Sequence, residues 1–171
     1  ILIKGFIQMS KKITKNFNLN EFKCKDGTHV PEELIENVTL LCKNLQVLRD
    51  KLGKPIRVIS GYRSPKYNLR IGGARRSQHM TAKAADIKVS GMTPAEVKSV
   101  IVGLIKDGKM MKGGVGLYRT FTHYDVRRVS INQPLLVGIK QCQMHSIARL
   151  RTFGIQGLRI LSIKIAAVIL Y

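Results

Sequence analysis

Residues 77–86 read SQHMTAKAAD and run on into IKV at 87–89. His79 and Asp86 stand seven residues apart, divided by small side chains. From residue 82 the stretch alternates as a strand does. Ala82, Ala84, Asp86 and Lys88 share one face, and Ala85, Ile87 and Val89 share the other. The second face suits a core. The first leaves room beside Asp86 for an ion and a substrate, because alanine is small. A histidine and an aspartate at this spacing are by themselves ordinary polar groups, so a further ligand has to come from elsewhere in the chain.

The segments on either side frame this strand. IRVIS (56–60) reads as a short buried strand, and 61–81 as a long glycine- and proline-bearing loop of the kind that carries function. Upstream, Leu34, Val38, Leu41, Leu45, Leu48 and Leu52 step by three and four, giving a helix that Pro31 opens and Gly53 stops. Downstream, Thr93 and Glu96 form a capping box with Pro94 at the first position, so a second helix runs through 94–108, buried along Val97, Val100, Ile101, Leu104 and Ile105. GGVGLY (113–118) and FTHYDVR (121–127) follow as two strands joined at Arg119–Thr120. This order predicts an α+β domain with a small, mostly antiparallel sheet flanked by helices.

FTHYDVR supplies the missing ligand type. His123, Asp125 and Arg127 share one face, opposite Tyr124 and Val126. His79, Asp86 and His123 together would give two imidazoles and a carboxylate, the donor set of a catalytic zinc with one open position. Asp125 would stand roughly 7 Å further along the strand.

Bulk properties limit the alternatives. The chain has 171 residues, 44% of them apolar, which suits one folded domain. Its 30 basic and 10 acidic residues give a net charge of +20, which calls for a polyanionic partner: nucleic acid, an acidic membrane or an anionic wall. No zinc finger, RNA-binding motif or helix-turn-helix is visible, and the basic residues are spread out, so no specific nucleic acid partner is expected. Cys24, Cys42 and Cys142 form no C-x-x-C pair and read as free thiols, which leaves any metal to histidine and carboxylate. No apolar run reaches ~18 residues, so no transmembrane segment is expected. ILIKGFIQM is too short for a signal peptide, and residues 1–15 read as a leader or disordered N-terminus. All ten acidic residues lie at or before Asp125, whereas seven basic ones follow it. Residues 128–171 therefore read as a tail of different character, either a basic amphipathic extension or a frame-shifted sequence that would leave the sheet without its last strand.

Three ordered blocks, SGYRSPKYN, GGARRSQHMTAKAAD and GGVGLYRTFTHYDVR, resemble the zinc D-alanyl-D-alanine carboxypeptidase-like peptidases, which share their fold with the hedgehog signalling domain. In the pattern S-x-H-x-x-G-x-A-x-D, Ser77, His79, Ala84 and Asp86 fit, while Ala82 replaces the glycine. NFNLNEFKCKDGTHVP and LGKPIRVISGYRS resemble the cell-wall-lytic branch common in bacteriophages. The resemblance spans residues 16–127, the expected peptidase domain. It implies one Zn2+ bound by His79, Asp86 and His123, with Arg63 gripping a substrate carboxylate or the developing oxyanion. Ser77 and Gln78 would line the pocket. Many relatives carry a carboxylate three residues before the last histidine, where Thr120 stands here. Asp125 is then the candidate base, or else the partner that orients His123. His29 and His145 have no placed partner and read as non-ligands. The implied activity is hydrolysis of peptidoglycan stem peptides, at D-Ala-D-Ala or L-Ala-D-Glu type bonds, by a monomer that acts at the bacterial wall, is concentrated there by anionic polymers, and is phage-encoded and released on lysis. The alternatives are an inactive wall-binding relative and a basic nucleic-acid-binding protein.

Overall fold

The computed structural model describes residues 12–129 and 136–139. The first long helix, α1 (Ile35–Leu52), is led in by a 3-10 turn at Glu32–Leu34. Its apolar stripe turns inward: Val38, Leu41, Leu45 and Leu48 are fully buried, while Leu34 and Leu52 are partly covered at the two ends. Gly53 ends the helix at φ +62°, a left-handed position that glycine takes without steric cost, and its N–H reaches the Arg49 carbonyl at 3.0 Å.

The sheet has the order β1–β2–β4–β3–β5, with β1 Ile56–Ser60, β2 Ala84–Val89, β3 Gly114–Leu117, β4 Thr122–Asp125 and β5 Leu136–Ile139. The first four strands pair antiparallel, and β5 lies parallel to β3. The expected α+β fold with a mostly antiparallel sheet is the fold observed. Ala85, Ile87 and Val89 of β2 and Tyr124 of β4 bury one face of the sheet in the core with α1 and the later helix α3 (Pro94–Lys106). In α3 the Thr93–Glu96 capping box is formed, and Val97, Ile101 and Leu104 face inward.

Two local expectations need correction. Residues 61–81 are not one continuous loop, because Pro65–Arg70 forms a short helix, α2. Ser64 caps it by accepting from the Tyr67 N–H at 3.1 Å, and Pro65 pre-sets its first position. Six residues are too few to display an apolar period, and for that reason the pattern is invisible in the sequence. Nor does Ala82 share a strand face with Asp86. It is buried at φ +53° in the turn before β2, and regular pairing begins at Ala84.

The chain's beginning ties down the loop after β1. A 3-10 turn, Leu19–Phe22, is held by an Asn18–Glu21 capping box and buries Phe22. Phe22 lies so close to Gly61 that a Cβ there would come within 2.6 Å of its Cα. The Ser64 hydroxyl also donates to Asp26 at 2.6 Å, so the N-terminal segment and the α2 cap are joined. Ile13, ahead of the expected domain start at residue 16, already packs against the core. Residues 1–11, part of the N-terminal stretch 1–15 expected as a leader or disordered segment, and, apart from β5, the tail from 130 onward, with Cys142 and His145, lie outside the described residues.

A left-handed alanine is strained by about 1–2 kcal/mol, and the methyl that glycine would remove contributes about 0.8 kcal/mol. Glycine's greater freedom in the unfolded chain takes back about 0.5–1 kcal/mol more, so Ala82→Gly is expected to leave the urea midpoint close to that of the wild type at unchanged slope. A clear loss of stability would mean that the buried methyl outweighs the strain.

Candidate metal centre

The β2–β4 register sets Asp86 directly opposite His123 and Ala84 opposite Asp125. His79 comes from the turn before β2. Its carbonyl accepts from the N–H groups of Arg63 and Ala82, both at 3.1 Å, which fastens the 61–64 loop to the 77–82 turn. Its ring Nδ1 lies 2.7 Å from the Gly61 carbonyl oxygen. That oxygen can only accept, so Nδ1 carries the proton and the Nε2 lone pair is left to face Asp86 Oδ1 at 3.3 Å. The same Oδ1 lies 2.8 Å from His123 Nδ1. His79, Asp86 and His123 each offer one ligand atom, all within 4.8 Å of one another. The three expected ligands are brought together; His29 is exposed and apart from them.

Each acid here has its own arginine. Arg63 donates through Nη2 to Asp86 Oδ2 at 2.5 Å and through Nε to the Ser60 hydroxyl at 3.0 Å. The arginine expected to meet a substrate carboxylate thus already holds the outer oxygen of Asp86, and that turns Oδ1 toward the imidazoles. Asp125 is fully buried and saturated. Oδ1 accepts from Gly114 N–H at 3.1 Å and Arg127 Nε at 2.7 Å, and Oδ2 from Arg127 Nη2 at 2.5 Å, with His123 Nε2 3.1 Å away.

Burial alone would raise the Asp86 carboxyl pKa, but hydrogen bonds and charge from His123 and His79 hold it well below the usual range. Burial likewise opposes Asp125, and Arg127 followed by His123 drives it below that range. Burial lowers His79, only partly countered by Asp86, so its ring is neutral at pH 7. Burial would also lower His123, but hydrogen bonds to the Asp125 and Asp86 carboxylates overcome it and raise the ring. The result is a neutral imidazole, an ionised carboxylate and a second imidazole whose Nδ1 proton a cation can replace while Nε2–H stays with Asp125. Two nitrogens and one oxygen of this kind fit a divalent cation, with each first ligand oriented by a partner of its own.

The cluster opens into a cavity of about 640 Å³ lined by Ser77, Gln78 and, on one wall, Tyr118 and Phe121, whose rings stack at 4.3 Å. Thr120, standing where many relatives carry a carboxylate, is exposed and does not line it. Several partners had no separate reading in the sequence: the Gly61 carbonyl, the Arg127 clamp and the glycines of GGVG. A Cβ at Gly114 would collide with the Asp125 carboxylate, and one at Gly116 would come within 3.1 Å of His123 Cβ. Alternate glycines on β3, facing the histidine and acid of β4, were the available signal.

The family model of Peptidase M15 matches residues 13–125, about two thirds of the chain. The chain belongs to this family of zinc D-Ala-D-Ala carboxypeptidase-like peptidases and is by family a metallopeptidase. No curated protein matches it significantly.

Gly114→Ala displaces the carboxylate that orients His123. It is expected to weaken zinc binding by about 10- to 100-fold with the fold retained, as measured by competition against a chromogenic chelator and by circular dichroism. Unchanged affinity would mean that Asp125 does not govern the ligand.

Proposed function

We propose that this Peptidase M15 member hydrolyses peptidoglycan stem peptides, at bonds of the D-Ala-D-Ala or L-Ala-D-Glu type, with one zinc ion held by His79, Asp86 and His123. The observation that carries the reading is Asp86 Oδ1 lying between His79 Nε2 and His123 Nδ1 at 3.3 and 2.8 Å at the base of an open cavity. A zinc ion bound there supplies Lewis acidity, polarising a peptide carbonyl and acidifying water beside it.

The chain's own groups do the positioning. Gly61 fixes the His79 tautomer, and Arg63 fixes the rotamer of Asp86. Arg63 Nη1 has no hydrogen-bond partner among the described residues, so the outer half of its fork faces the cavity as a donor for a substrate carboxylate or a developing oxyanion. Ser77 and Gln78 line the same cavity as Arg63. Asp125 acts as a positioning residue for His123. A carboxylate with both oxygens engaged and no exposed surface has no open lone pair to take a proton from water.

The site of action is the bacterial wall, as for a phage-type lytic enzyme. The net charge of +20 supports this, since phosphate-rich wall polymers would concentrate such a protein. Among the described residues no helix is long and apolar enough to cross a membrane.

His79→Ala is expected to abolish both zinc retention and the release of fragments from purified sacculi, the fragments being identified by mass. Full lytic activity in that variant sinks the reading, and a wild-type protein that retains zinc yet releases nothing is a wall-binding relative instead. Asp125→Asn separates the two roles of Asp125. Positioning predicts about 10- to 100-fold weaker zinc binding, with activity largely recovered at saturating zinc, whereas a base predicts unchanged affinity and a loss confined to kcat.

A further inference from the structure

The cavity is lined by three arginines and two aspartates, and their pairing is unequal. Arg63 is bound to Asp86 and Arg127 to Asp125. Arg76, an exposed residue that lines the cavity, has no hydrogen bond or ion pair among the described residues. Such an arginine would be unremarkable on a mobile loop, but its backbone is fixed. Arg76 occupies a turn closed by Ser77 N–H on the Ala74 carbonyl at 3.1 Å. The buried side chain of Asn68 donates to the same carbonyl at 3.1 Å, and the Asn68 carbonyl accepts from Gly73 N–H at 2.8 Å. A Cβ at Gly73 would run into the Asn68 amide, so only glycine lets the loop lie this close to α2. The neighbouring Arg75 sits in the same turn but does not line the cavity.

We infer that Arg76 is a specificity-determining residue that reads a carboxylate of the substrate away from the scissile bond, selecting an anionic peptide over its neutral amide. Arg76 stands three positions before His79, so their Cα atoms lie at most ~11 Å apart even in extended chain. The carboxylate it reaches therefore lies one to three residues from the bond being cut. A guanidinium carried on an anchored backbone and without an internal partner suits this task, because its fork of donors matches a carboxylate without giving up an existing bond. This inference rests on the peptidase reading above.

The test compares a synthetic stem pentapeptide whose D-Glu α-carboxyl is either free or amidated, using the full-length zinc-loaded protein. The wild type is expected to favour the free acid by about three- to fivefold, as for a partly exposed ion pair, with the difference in KM and not in kcat. Arg76→Ala should bring the ratio close to one, Arg76→Lys should restore part of it, and Arg75→Ala should keep it. A wild type that cleaves both peptides alike, or an Arg76→Ala variant that still discriminates, overturns the inference while leaving the peptidase intact. If the wild type cleaves neither peptide, the peptidase reading fails. The binding ratio of the same two peptides, measured by calorimetry on wild type and Arg76→Ala, then decides the role of Arg76: a preference lost in the variant supports it, and no preference overturns it.

Discussion

One carboxylate oxygen, Oδ1 of Asp86, stands between two imidazoles, and the pairing of β2 with β4 is what puts it there. Side chains on a strand alternate with period two, so a slip of one residue would send Asp86 and His123 to opposite faces of the sheet. The register is protected by the other face. Ala85, Ile87 and Tyr124 are each at or below 1% exposure, and the same slip would bring them to the surface. The hydrophobic pattern that builds the core thereby sets the geometry of the polar site, and the two cannot be altered independently.

Burying two carboxylates side by side is expensive unless each is matched. Here Arg63 takes the outer oxygen of Asp86, and Arg127 holds Asp125 through two nitrogens. The two pairs differ in consequence. Arg63 leaves Oδ1 of its partner open toward the histidines, whereas Arg127, with Gly114, leaves Asp125 no open side except toward His123. Chemically similar residues on neighbouring strands thus divide into a candidate metal donor and a support, according to how many donors surround each.

The parts of this architecture that depend on nearest neighbours were legible in the sequence. The three- and four-residue steps of α1, the Thr93–Glu96 capping box and the alternation of 84–89 all report local physics. The cluster of His79, Asp86 and His123 was legible as residue types on suitable faces, and the family resemblance supplied their order. What escaped was either too short or too distant in sequence. Pro65–Arg70 has too few residues to show a period, although Ser-Pro announced its start. The backbone conformation of Ala82 was masked because alanine fits a strand pattern as well as a turn. The clamps of Arg63 on Asp86 and Gly61 on His79 join positions 23 and 18 residues apart through tertiary contact, and no local propensity encodes them.

The glycines complete the design by what they exclude. On β3, Gly114 and Gly116 pair with Asp125 and His123, and each stands where a side chain would push the β4 residue out of place. Gly61 does the same for the N-terminal turn and Gly73 for the loop that carries Arg76. Glycine weakens strands and loops by enlarging the freedom of the unfolded chain. The fold tolerates that loss around the cavity because α1, α3 and the opposite face of the sheet carry the apolar burial. Packing and chemistry are therefore assigned to different faces of one sheet. Close backbone approach is concentrated on the face where side chains must converge on a single point, and large apolar side chains on the face where they need only fill space.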